Sequence, residues 1–87
     1  MKKGDRVRIF DGSWSMVYEN GSLGDGIGTI LIADGPYEVV STNPGFLRNF
    51  PVSKSAKHYH QKNNICLRCI KNPGRIVYTQ SRFCSVI

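Results

Sequence analysis

Short β-branched or aromatic runs, each ended by a turn dipeptide, recur along this chain, and no stretch carries the 3.6-residue apolar period of a long helix. That rhythm points to an all-β fold built from antiparallel hairpins. Arg6-Val7-Arg8-Ile9-Phe10 alternates, with Val7 and Ile9 on one face and the arginines on the other. Residues 29–33 and 37–42 make the next two strands, joined at Asp34-Gly35, a pair that accepts the positive φ of a tight hairpin. Pro36 then falls at a strand start, where a missing amide is tolerated. A second hairpin joins residues 65–70 to 76–80 through Asn72-Pro73-Gly74, with proline and glycine presetting the two central torsions of a type II turn. Residues 15–19 form a short strand ending at Asn20-Gly21, and the apolar tail 83–87 closes the barrel.

The period-2 phase of these strands selects a core of Val7, Ile9, Ile30, Ile32, Val39, Ile65, Leu67, Ile76 and Tyr78. At 87 residues the chain makes one domain, residues 1–87, too small for a dinucleotide fold or a hydrolase barrel. Two long connections remain, 11–28 and 43–62. The first holds five of the nine glycines around Trp14, Met16, Val17 and Tyr18. The second carries Phe46, Arg48, Phe50, Lys54, Lys57, His58, Tyr59, His60 and Lys62, and a connection of that length in a small domain is a candidate for function.

The order of these elements resembles a small SH3-like barrel. Lys3-Gly4-Asp5-Arg6-Val7-Arg8-Ile9, then Gly26-Ile27-Gly28-Thr29-Ile30, then Pro36-Tyr37-Glu38-Val39-Val40 carry the likeness. The first two segments are similar to the KOW motif of ribosomal and transcription-factor barrels. The opening also resembles short, uncharacterised phage and prophage proteins that continue into Asp-Gly-Ser. The resemblance covers residues 3–42, and 63–87 as a strand pattern. It implies a five-stranded SH3-like barrel with long loops at 11–28 and 43–62, and RNA binding by analogy.

Charge supports the same expectation. All six acids lie in residues 1–38, where four bases leave −2, while residues 39–87 carry eight bases and no acid. An acid-free half favours an anionic partner, nucleic acid first among them. Arg48, Lys54, Lys57 and Lys62 would contact phosphates while His58 and Tyr59 stack on bases. Acids brought alongside these bases by folding would erase the asymmetry. The alternative is a protein-interaction or assembly module that uses Trp14, Tyr18 and the glycine-rich loop as an aromatic groove.

A third reading places structural zinc on His58, His60, Cys66 and Cys69. Against it, residues 66 and 69 of a strand point to opposite faces, which leaves Cys69 to pack with Ile65 and Leu67. No metal or cofactor is therefore expected. Catalysis is not expected either. The run Gly24-Asp25-Gly26-Ile27-Gly28 continues as strand where a phosphate cradle must open a helix, and no carboxylate follows residue 38 to orient a Cys–His pair. The longest aliphatic run, Ile30-Leu31-Ile32-Ala33, is far below the roughly 18 residues of a membrane span. Met1-Lys2-Lys3 leads into Gly4-Asp5-Arg6 and not into a signal-peptide core. With three cysteines, an odd number, the chain is expected to be cytoplasmic with reduced thiols.

Overall fold

The computed structural model describes residues 1–42 and 63–87. Seven antiparallel strands form one sheet: β1 (Arg6–Ile9), β2 (Met16–Glu19), β3 (Ser22–Asp25), β4 (Tyr37–Ser41), β5 (Ile65–Cys69), β6 (Ile76–Thr79) and β7 (Cys84–Val86). Their order is β3-β2-β6-β5-β4-β1-β7, so β3 and β7 are the edges of the sheet among the described residues. Among the described residues one α-helix, α1 (Gly28–Asp34), lies between β3 and β4, and a 3₁₀ turn (Ser81–Phe83) precedes β7. The all-β expectation holds at the level of the sheet. The closed five-stranded barrel does not: the sheet has seven strands and stays open.

The two extra strands come from the glycine-rich connection 11–28. β2 and β3 form a hairpin in which Glu19 faces Ser22, closed by Asn20 (φ 54°) and Gly21 (φ 80°). Two successive positive φ values make the turn whose twist matches the flanking strands, which is why Asn-Gly stands there. β2 then pairs with β6 as well, which carries the sheet past the five-strand limit.

The centre of the sheet is a row of branched side chains in register. Val39, Leu67 and Val77 face one another across β4, β5 and β6, and all three are fully buried. Val7, Ile9, Tyr37, Ile65 and Cys69 extend this core, as expected for Val7, Ile9, Val39, Ile65 and Leu67. A smaller cluster of Met16, Cys66 and Tyr78 packs separately, with Ile76 half-buried against it. β6 therefore buries both faces: Val77 serves the main core, and Tyr78 and Ile76 serve the second cluster. Cys66 and Cys69 fall into different clusters, with Cys69 beside Ile65 and Leu67.

Residues 29–33 depart from expectation. They form most of α1, and Asp34-Gly35 ends that helix where a hairpin turn was expected. Ile30 and Ile32 are 46% and 49% exposed, while Leu31 is buried in the main core. A short β-branched run satisfies a strand and a two-turn helix equally by pattern, and tertiary contacts decide. Here a helix sends Leu31 inward, and the backbone of Asp34 accepts from Cys69 Sγ at 3.5 Å. The second hairpin turn also differs in detail. Arg75 N–H donates to the Asn72 carbonyl at 2.9 Å, closing the turn as expected, but Gly74 does not adopt the positive φ of a type II turn.

Candidate functional site

The loop after β1 and the first turns of α1 face each other across an open cleft of about 440 Å³. Its floor exists because two glycines meet. A Cβ on Gly12 would stand 2.4 Å from the Gly28 Cα, so position 12 admits no side chain unless one backbone moves. Asp11 and Ser13 shape the loop side. Asp11 Oδ1 accepts from the Ser13 amide at 2.9 Å and from the Ser13 hydroxyl at 2.6 Å. The hydroxyl bond, then the amide bond, hold the Asp11 carboxyl below the usual carboxylate range; the charge of Arg82 adds to them, and slight burial opposes.

Trp14 follows with φ 60°, a left-handed conformation that L-residues other than glycine adopt only when their surroundings compel it. The compulsion is visible. Asn63 Nδ2 donates to the Trp14 carbonyl at 2.9 Å, and Ser15 N–H donates to the Gly12 carbonyl at 3.2 Å. Below them Ser15 Oγ donates to Thr79 Oγ1 in the interior, and the Ser15 carbonyl takes the Gly26 amide at 2.8 Å. The result presents Trp14 at 54% exposure in the cleft wall, together with Phe10 at 58% and Ile32 at 49%. Three large apolar side chains around one cleft are more than scattered surface residues.

Of the two residues expected in an aromatic groove, Trp14 lines the cleft and Tyr18 does not. Tyr18 sits half-buried on β2, opposite Leu23 and Ile76. Phe10 and Ile32 take the place assigned to it. Phe10 was legible: the phase that buries Val7 and Ile9 leaves residue 10 outside it. Ile32 was hidden by the strand assignment. The six residues expected to bind nucleic acid, Arg48, Lys54, Lys57, His58, Tyr59 and Lys62, lie outside the described residues, as does His60.

Folding also redistributes the charge. Arg75, from the basic half, bonds Glu19 through Nε at 3.1 Å and pairs with Asp34 through Nη1. Asn72 Nδ2 reaches the same Glu19 at 3.2 Å. Glu38 stands in register between Arg6 on β1 and Arg68 on β5. Among the described residues, three acids of the first half, Glu19, Asp34 and Glu38, thus lie beside two bases of the second, Arg75 and Arg68.

The thiols sit in apolar surroundings. Burial pushes Cys66 up to about 11, against a lowering hydrogen bond from Tyr78, and burial likewise pushes Cys84 up to about 11. Among the described residues no three His, Cys, Asp or Glu side chains converge as metal ligands. The run Gly24–Gly28 does open a helix, contrary to expectation. That helix is two turns long, Ile27 at its start offers no side-chain cap, and Asp11 brings a carboxylate to the cleft where a phosphate would need cations. No helix among the described residues is long and apolar enough to cross a membrane.

Compared with protein families, curated proteins and solved structures, the chain matches none.

Proposed function

We propose that this chain is a non-enzymatic protein-interaction module that seats an apolar side chain of a partner protein between Trp14, Phe10 and Ile32. The observation that carries the reading is Trp14. Holding a non-glycine residue in the left-handed region costs on the order of 1 kcal/mol, and the hydrogen bonds at Gly12, Ser15 and Asn63 maintain it with the indole half exposed. An aromatic residue whose backbone is fixed in this way binds with less further loss of conformational freedom. Burial raises the thiols of Cys66 and Cys84, which disfavours either as a nucleophile at neutral pH.

An SH3-like ancestry remains part of this reading. Its support is that β1, β4, β5, β6 and β7 are contiguous in the sheet as β7-β1-β4-β5-β6, with β1, β4, β5 and β6 following one another in chain order and β7 crossing back to lie beside β1. The β2–β3 hairpin and α1 then stand as an insertion between the first two members of that set.

Trp14 is the sole tryptophan, so its emission reports on the cleft directly. Tryptophan-free peptides selected from a random dodecapeptide library are expected to shift that emission to the blue. Trp14→Ala should weaken them about tenfold or more. Selected peptides that leave the emission unchanged and bind Trp14→Ala equally well would overturn the reading.

A second reading, binding of single-stranded nucleic acid, is favoured by the composition of residues 43–62, where Arg48, Lys54, Lys57 and Lys62 meet no acid. It predicts affinity for an unstructured oligonucleotide that falls steeply with salt, by a log–log slope of about −0.7 per neutralised phosphate. Changing the three lysines to Gln should flatten the slope, and Tyr59→Ala should cost about 1–3 kcal/mol. Absence of binding at low salt would exclude it.

A further inference from the structure

One cation outside the cleft lining, next in the chain to a residue bonded to the cleft wall, is already oriented. Arg82 lies in the 3₁₀ turn next to Phe83, whose carbonyl accepts the amide of Phe10, the first residue of the cleft wall. Its guanidinium carbon sits 4.6 Å from the centre of the Phe83 ring. Its Nε donates to Gln80 Oε1 at 2.7 Å. Stacking fixes the plane of the fork, and the Nε bond fixes its rotation. Its terminal nitrogens carry no hydrogen bond or ion pair among the described residues, although its charge reaches the Asp11 carboxylate. An arginine ordered at one end and open at the other is a preorganised receptor for a planar anion.

We infer that Arg82 binds a side-chain carboxylate of the partner, an Asp or Glu placed within a few residues of the apolar side chain that enters the cleft. This rests on the protein-interaction reading and names the partner's chemistry. Asp11 lines the cleft and lies within reach of the Arg82 charge, so it repels any anion there, and it repels a single carboxylate less than a row of phosphates. The formal charge of +6 favours an acidic partner and opposes a second copy of this chain.

The probe is the same random dodecapeptide library, selected in parallel on the native protein and on Arg82→Gln. Native selections should be enriched for Asp or Glu beside an aromatic or branched aliphatic residue. Selections on Arg82→Gln should keep the apolar residue and lose the acid. For one selected peptide, Arg82→Gln should lower affinity about tenfold, and the same peptide with its acid changed to the amide should bind both proteins alike. Equal acid enrichment on both proteins, or no coupling between Arg82 and the peptide acid, overturns the inference and leaves the cleft reading standing. Displacement of the peptide by oligothymidine in an Arg82-dependent manner makes the site a phosphate site and also overturns it. Failure to obtain any Trp14-dependent peptide removes both.

Discussion

The phenol of Tyr37 donates a 2.6 Å hydrogen bond to the backbone carbonyl of Leu31, and both residues are buried. This single bond ties the first residue of β4 to the middle of α1 and so fixes the helix that supplies one wall of the cleft. Burial, with the nearby Cys69 and Cys84 adding to it, pushes the Tyr37 hydroxyl far above its ordinary value, so it remains a donor throughout the physiological range.

Removing that donor tests the link. Tyr37→Phe should destabilise the fold by about 1–3 kcal/mol, the cost of leaving a buried polar group without its partner. Urea unfolding gives the magnitude. Amide exchange should show the loss concentrated in residues 28–34.

Arg75 joins the β2–β3 hairpin to the end of α1 through Glu19 and Asp34. Arg75→Met keeps the stem and removes both pairs. Because all three side chains are partly exposed, the expected loss is only about 1 kcal/mol, and it should shrink in molar salt. An undiminished loss in high salt would assign the effect to packing.

Gly12 and Gly28 touch backbone to backbone, so Gly12→Ala must push the loop from the helix. The expected cost is about 1–3 kcal/mol by overpacking. Trp14 emission should change in the same variant, since the Gly12 carbonyl helps hold residues 14 and 15. Gly24→Ala, where a Cβ meets nothing, is the control and should leave the emission unaltered.

Stability should fall on the alkaline side. Cys66 and Cys84 are raised in the folded state, from 9.0 to about 11, so the folded chain holds their protons more tightly than the unfolded chain. Their contribution is complete below about pH 9 and is lost progressively towards about pH 11. Tyr78, raised by burial, acts in the same direction. Urea midpoints measured from neutral pH upward should decline across that window. A midpoint independent of pH there would contradict the burial of both thiols.

Much of the sheet was legible because its signals are local. Val7 and Ile9 alternate within one strand, Asn20-Gly21 ends another, and Asn72-Pro73-Gly74 closes a turn through neighbours in sequence. Such features depend on torsions and on a period of two, and both are written in the residues themselves. Trp14 was legible as a candidate because a large aromatic among glycines has few core partners nearby in the chain.

What required the tertiary structure was every choice between two locally acceptable outcomes. Residues 29–33 suit strand or helix, and the contacts that Leu31 and Asp34 make with Tyr37 and Cys69 decide for helix, leaving Ile30 and Ile32 outside. The charge halves look separate in sequence, yet Glu19 and Asp34 find Arg75 across 56 and 41 residues. The cleft likewise joins residues 10–14 to residues 26–32. Sequence determines which conformations each segment permits. Only the packing of distant segments selects among them, because the free energy that separates the alternatives resides in contacts the chain makes after it has folded.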